Sequence, residues 1–329
     1  MAKRFLFALM LIVSSYGYSQ EGDSLIKVTD KLYVVQGLGG NVTLFLTNEG
    51  VVVIDAGMLE KDGKRIGEIA KKLTDKPIKY VIVTNYHYDH AFGVCGIEGK
   101  PIIVGHENLA KSLKEKGTGS FTYYRDHELK PKVELMKRTM DSLKQANNPE
   151  WKNTEVQYTK QTCCLENAGK TIIEMPDTSF STTMDITLGG EHIHLVYPGC
   201  TYTDCNIIVE IVSQKALITG DFYLNKSIPY IGFNDHCDTK NWISKLNEYS
   251  LKPYLFVIPG HGLVSNTAGM KEEGEYLKEL RETIAGKIKE NKTLDQIKGE
   301  ITMAKLSYSG FQFMLASQIE AIYNEITSK

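Results

Sequence analysis

One stretch constrains this chain more than any other. Tyr80-Val81-Ile82-Val83 is short, β-branched and uncharged, the pattern of a buried strand. It runs directly into Thr84-Asn85-Tyr86-His87-Tyr88-Asp89-His90-Ala91-Phe92-Gly93. His87, Asp89 and His90 put two imidazoles and a carboxylate within four residues. A strand end is a rigid mount, and a compact set of neutral nitrogen and anionic oxygen donors suits Zn²⁺. A single His after a strand is ordinarily a core or surface residue; two flanking an Asp favour a metal site.

Around this stretch, strands and helices alternate, and chemistry-bearing residues recur at strand ends. Lys27 to Val35 reads as a strand, Asn41 to Leu46 as a second, and Val51-Val52-Val53-Ile54 as a third that ends in Asp55-Ala56-Gly57. A carboxylate at the tip of a buried strand is costly unless hydrogen-bonded or near a cation. Lys61 to Leu73 has a helical period in Ile66, Ile69, Ala70 and Leu73, and Pro77 blocks its continuation. Ile102-Ile103-Val104 is another strand. The segment 106–176 is polar, with helix signals over 108–114 and 126–146, and reads as an insertion: an overhang on a site or an exposed helical hairpin. Phe180 to Thr187 and His192 to Tyr197 form a hairpin about Gly189-Gly190; His192 and His194 share one face of the second strand and read as surface residues. Strands follow at 206–212, 216–219 and 255–258. The last two end in Gly220-Asp221 and Pro259-Gly260-His261-Gly262. From Gly269 onward the chain is helical: Tyr276, Leu277, Leu280, Ile284 and Ile288 share a helix face, and Thr293 suits a cap.

Residues 1–20 stand apart. Lys3-Arg4, the apolar run Phe5–Val13 and a small, polar exit near Ser19 and Gln20 read as a cleaved secretory signal, which predicts export to a periplasm or beyond and no membrane anchor in the mature form. The formal net charge of −2, without basic runs, speaks against a nucleic-acid partner. Six Cys in an exported chain permit disulfides, although they are too few to build the scaffold.

The stretch 85–90 resembles the His-x-His-x-Asp-His motif of the metallo-β-lactamase superfamily, with Asn85 in place of its first His. The order of elements from Lys27 to Gly262 resembles that family's whole core. The resemblance implies a four-layered αββα sandwich with the metal site at one edge of two facing sheets, here a domain over 21–266 followed by C-terminal helices over 267–329. Asp55 matches the family's Asp-x-Gly element, which supports the site without ligating. Gly199-Cys200-Thr201 aligns with Gly-His-Thr, so Cys200 stands where a His is expected. Asp221 matches the bridging acid and His261 the last ligand. The C-terminal helices and the Pro-Gly-His-Gly context are similar to those of periplasmic quinoprotein-associated metallohydrolases.

By this resemblance one ligand set is whole, Asp89, His90, Asp221 and His261, and fits Zn²⁺, Mn²⁺ or Fe²⁺. The other is altered to Asn85, His87 and Cys200, which leaves a second cation open. Cys200 has three states available: a thiolate ligand, a buried thiol or half of a disulfide. The activity implied by the resemblance is metal-dependent hydrolysis of a small-molecule substrate. The cation would bring a bound water towards pKa ~7, and the hydroxide would attack an ester, thioester, amide or lactam, or phosphoester, with Asp89 orienting the water. Tyr86, Tyr88 and Tyr202 flank the motifs as candidate oxyanion donors or packing residues. Two alternatives are a metal- or ligand-binding protein that has lost catalysis, suggested by Asn85 and Cys200, and a β-lactamase proper, in which Lys226 would hold the substrate carboxylate.

Overall fold

A computed structural model describes residues 23–231, 237–302 and 312–328. The presumed signal at 1–20 lies outside the described residues. Seven strands follow one another in a single sheet: β1 (Ser24–Lys27), β2 (Leu32–Leu38), β3 (Gly40–Leu46), β4 (Val51–Ile54), β5 (Ile78–Ile82), β6 (Ile102–His106) and β7 (Thr178–Phe180). Five strands make a second sheet in the order β12-β11-β10-β9-β8: β8 (Thr183–Leu188), β9 (Glu191–Val196), β10 (Ile208–Ile211), β11 (Ala216–Ile218) and β12 (Phe256–Ile258).

The two-residue period of the strands produces the layering. On β4, Val51 and Val53 face helix α1 (Glu60–Leu73), packing with Ile66, Ile69 and Ala70, while Val52 and Ile54 turn to the other sheet. Ile193, Leu195, Val209, Ile211, Ala216 and Ile218 meet them there, so the middle core is built by both sheets. The outer face of the second sheet carries Ile208, Leu217 and Val257 against the C-terminal helices. The result is the four-layered αββα sandwich expected from the sequence, with both sheets buried on both faces where helices cover them.

Two local features, at 27–35 and 239–250, differ from the sequence expectation, and the insertion between them takes a helical form. The strand expected over 27–35 is a hairpin, because Thr29 Oγ1 accepts the backbone N–H groups of Lys31 (3.2 Å) and Leu32 (3.1 Å) and turns the chain. Between β6 and β7 the chain is largely helical: α2 (Tyr88–Ala91) precedes β6, and α3 (Leu109–Ser112), α4 (Thr118–Tyr123), α5 (Lys130–Gln145) and α6 (Trp151–Ala168) follow it, the last two as a hairpin. A helix not expected, α7 (Thr239–Ser250), is capped by Asp238, which accepts from Asn241 N, and buries Trp242, Leu246 and Tyr249. The chain continues with α8 (Thr267–Lys289), α9 (Leu294–Glu300), capped by Thr293 as expected, and α10 (Gln312–Thr327). Among the described residues no helix is long and apolar enough to cross a membrane.

β4, β5 and β6 run parallel, as do β11 and β12. Asp55 and the metal-motif stretch therefore leave the carboxyl ends of neighbouring strands in one sheet, and Asp221 and His261 leave those of neighbouring strands in the other. Carboxyl ends of parallel strands are where open α/β sheets present ligand sites. Backbone bonds join the two edges, Ile207 N–H donating to Thr84 O (2.9 Å) and Asn41 N–H to Gly260 O (2.7 Å), while Gly260 N–H to Gly220 O (2.8 Å) ties the ends of β11 and β12.

Candidate metal centre

The site is built outward from Asp55. Its backbone is left-handed (φ 61°), a conformation Asp and Asn tolerate better than most residues. This turns its carboxylate under the end of β5, where Oδ1 accepts Thr84 N–H and Oδ2 accepts the Thr84 hydroxyl, both at 2.8 Å. Oδ2 also lies 2.8 Å from His90 Nδ1. The carboxylate makes Nδ1 the protonated nitrogen, which leaves Nε2 as the lone-pair nitrogen of a neutral imidazole. Gly40 lets β3 pass the ring: a Cβ there would stand 2.6 Å from His90 Cε1.

His90 Nε2 is buried and lies 3.0 Å from Asp221 Oδ1, and neither atom has a hydrogen-bond partner of proper geometry. His261 Nε2 closes the group, 3.2 Å from Asp89 Oδ2 and 3.4 Å from Asp221 Oδ1. Ligand atoms of Asp89, His90 and His261 all fall within 4.8 Å of one another. Both imidazole nitrogens therefore face Asp221 Oδ1, and Asp89 joins them from the side of His261.

The electrostatics follow from that crowding. Burial pushes His90 towards its neutral form, but Asp221, Asp55 and Asp89 together outweigh it and hold its pKa well above the ordinary value. Burial likewise opposes ionisation of Asp221, yet the charge of His90 and contacts with His87, His90 and His261 hold its carboxyl well below the usual range. Asp89 is lowered in the same way, burial being overcome by His90 and His261. A proton on His90 does here what a divalent cation would do better: a cation neutralises both carboxylates and uses both lone pairs at once.

The remaining sequence candidates lie to one side. Asn85 is fully buried, and its Nδ2 donates to Asp221 Oδ2 at 3.2 Å. His87 Nδ1 stands 3.5 Å from Asp221 Oδ2 and 3.3 Å from the Tyr202 hydroxyl. Cys200 is half-buried, and burial followed by Asp204 and Asp238 pushes its thiol up to about 11. No disulfide joins any of the six cysteines. Of the flanking tyrosines, Tyr86 is buried with its ring edge-on to His87 (4.7 Å), Tyr88 stacks on Tyr124 (5.3 Å), and the Tyr202 hydroxyl meets His87 Nδ1. His192 and His194, read as surface residues, both face Asp185 Oδ1, at 2.9 and 2.7 Å, on the outer side of the second sheet. Lys226, exposed, is ion-paired with Glu272.

Sequence reasoning did not single out three supports. Thr84 orients Asp55. Asn41 Nδ2 donates to Pro259 O (2.9 Å) and Gly262 O (2.8 Å), which fixes the His261 turn. Glu273 is fully buried on α8 behind the site and accepts Leu224 N–H at 3.1 Å. Burial, with the Asp221 charge adding, pushes the Glu273 carboxyl well above its ordinary value. Its signal was available: Glu273 falls four residues before Leu277, on the apolar face of α8. The helical insertion is anchored to the site's loops by Lys116 Nζ (3.3 Å) and Ser112 Oγ (3.1 Å) on the Asp204 carboxylate and by Asn108 Nδ2 (2.8 Å) on its carbonyl.

A two-sheet αββα sandwich with His and Asp ligands on paired strand ends defines a class of metal-site proteins. The family model of the metallo-beta-lactamase superfamily matches residues 35–261, and the chain belongs to that superfamily. It is 21% identical over 249 residues to the linear primary-alkylsulfatase of Pseudomonas sp. (strain ATCC 19151), which covers 72% of this chain and 44% of that protein. The chain thus spans less than half the length of this relative. Among solved structures, the stereoselective inverting sec-alkylsulfatase of Pseudomonas sp. superposes with a TM-score of 0.65 at 16% identity, covering 93% of this chain and 50% of the other. A metallo-beta-lactamase from Pontibacter korlensis gives 0.56 at 17%, covering 78% and 99%. At these identities the structural likeness concerns the fold. Membership of the superfamily supports metallohydrolase-type chemistry at a metal-binding site.

Proposed function

We propose that this chain is a metal-dependent hydrolase in which Asp89, His90, Asp221 and His261 hold a divalent cation. The observation that carries the proposal is that His90 Nε2 and Asp221 Oδ1, both buried, face each other 3.0 Å apart without hydrogen-bond geometry. Two lone-pair atoms at that distance repel each other unless a proton or a cation lies between them. The N₂O₂ donor set suits Zn²⁺ best and also admits Mn²⁺ or Fe²⁺. When bound, the cation supplies a Lewis acid and an acidified water at neutral pH.

The chain's own residues do the rest. Asp55 holds the His90 tautomer that presents Nε2. Asp89, partly exposed to the cleft, orients the attacking water and accepts its proton. The scissile group is an ester, thioester, amide or lactam, or phosphoester. Sulfate esters join that set because two of the relatives are named alkylsulfatases. Residues 1–20 direct export, which N-terminal sequencing of the mature protein checks.

The test is elemental analysis of the purified protein and of Asp89→Ala, together with a screen of these substrate classes with and without chelator. Wild-type protein that takes up no metal, or an unchanged metal content in Asp89→Ala, would overturn the assignment. A catalytically silent, metal-binding protein is the second reading, favoured by Asn85 in contact with Asp221; metal-dependent turnover of any screened class removes it. The β-lactamase reading loses its proposed carboxylate anchor, because Lys226 is engaged by Glu272. Nitrocefin turnover would restore it.

A further inference from the structure

The superfamily pattern implies a second cation beside the first, held by the residues at positions 85, 87 and 200. Here two of those three are engaged with the first site instead. Asn85 Oδ1 accepts the His87 backbone N–H at 2.8 Å. That contact settles which end of the amide is which, since the end facing an N–H must be oxygen. The NH₂ end therefore points at Asp221 Oδ2, 3.2 Å away. With Oδ1 facing the first cation, this is the oxygen of the shared carboxylate left for a second. It already has a donor, and the donor is buried and fixed at both ends.

The other side of the place is also occupied. Tyr202 is buried, its ring against Trp242 (5.4 Å) and His87 (5.2 Å), and its hydroxyl meets His87 Nδ1. Among the described residues, ligand atoms of Asp89, His90 and His261 lie within 4.8 Å of one another, and Asp221 Oδ1 adds to them at 3.0 Å from His90 Nε2 and 3.4 Å from His261 Nε2. Charge balance agrees, because Asp89 and Asp221 together neutralise one divalent ion.

We infer that, on the hydrolase reading, this chain holds a single metal ion, and that the Asn85 amide takes the second cation's place on Asp221. A neutral donor completes the shared carboxylate and leaves Oδ1 alone to face the metal. His87 and Cys200 are then not ligands, and His87 pairs with Tyr202 beside the single metal.

The experiment counts metal in the full chain. Metal-free protein is titrated with Zn²⁺ by calorimetry, desalted and analysed for zinc. His192→Ala/His194→Ala protein is run in parallel, because the imidazole pair over Asp185 is an exposed place where Zn²⁺ could bind adventitiously. In that background we expect one equivalent, and the Co²⁺-loaded protein should lack a thiolate-to-metal charge-transfer band. Asn85→His/Cys200→His should move the count from one towards two. Two equivalents without those changes, or a charge-transfer band lost in Cys200→Ser, overturns the inference and leaves the hydrolase reading intact. Zero equivalents overturns both. If Asn85→His/Cys200→His folds and still holds one ion, Asn85 is not what closes the second site, and the assignment falls.

Discussion

Asp55→Asn isolates the tautomer argument on which the metal centre rests. Asn keeps the shape of Asp and tolerates the same left-handed backbone, so the turn at φ 61° survives. Its Oδ1 can still take Thr84 N–H, and its NH₂ can donate to the Thr84 hydroxyl. What changes is His90 Nδ1, now 2.8 Å from an amide nitrogen that must donate. The proton then moves to Nε2, and the lone pair aimed at the metal disappears. Loss of a carboxylate behind a metal-ligating His costs 10–100-fold in affinity, about 1.4–2.7 kcal/mol. Fold stability should fall by a smaller amount, about 1–2 kcal/mol, as a charge-assisted bond becomes a neutral one. Asp55→Ala is the contrast: it strips the acceptor from Thr84 N–H, the Thr84 hydroxyl and His90 at once, with an expected loss of about 3–5 kcal/mol. Zinc affinity by competition with a chelator, alongside thermal unfolding of the metal-free protein, separates the two effects. Asp55→Asn protein that binds zinc as tightly as wild type would refute the reasoning, whatever its stability.

Two further predictions follow from the same geometry. In the metal-free protein the lowered Asp221 and Asp89 contribute stability that is present above their ordinary 3.8 and lost as pH falls through the depressed values, whereas the raised His90 contributes stability fully present below 6.5 and lost as pH rises through its raised value. Its melting temperature should therefore be highest between those limits, and zinc binding near pH ~7 should release a proton from His90 and tighten with pH; calorimetry in buffers of different ionisation heat reads this, and zero release would contradict it. Gly93→Ala should destabilise the fold by about 1–3 kcal/mol and loosen the metal motif, because a Cβ there would stand 1.9 Å from the Ala56 carbonyl oxygen, forcing apart two loops joined by Gly93 N–H to Gly57 O (3.0 Å). Unfolding and zinc titration of the variant check it, and wild-type values for both would show that the loops are free to separate.

The parts of this protein legible in the sequence are those set by local chemistry. A β-branched run followed by His87, Asp89 and His90 announces a strand end carrying chemistry, and the runs before Asp55, Asp221 and His261 announce three more. The unbroken apolar run Val51 to Ile54, buried at every position, is enough to foresee a sheet covered on both faces. The Thr29 turn, α7 and the buried acid Glu273 were also written locally, in a side-chain acceptor, an Asp cap and a helix-face position, but each signal is short and competes with stronger neighbours. What only the tertiary structure decided is which group completes which. Asn85 meets Asp221 across 136 positions of sequence, Tyr202 meets His87 across 115, and Asn41 holds the His261 turn across more than 200. Those partnerships arise because two sheets bring the carboxyl ends of β5, β11 and β12 to one edge. An amide reads the same in the sequence whether it faces water or a buried carboxylate; its role as a donor to Asp221 is settled by the distance between strand ends, which no local pattern contains.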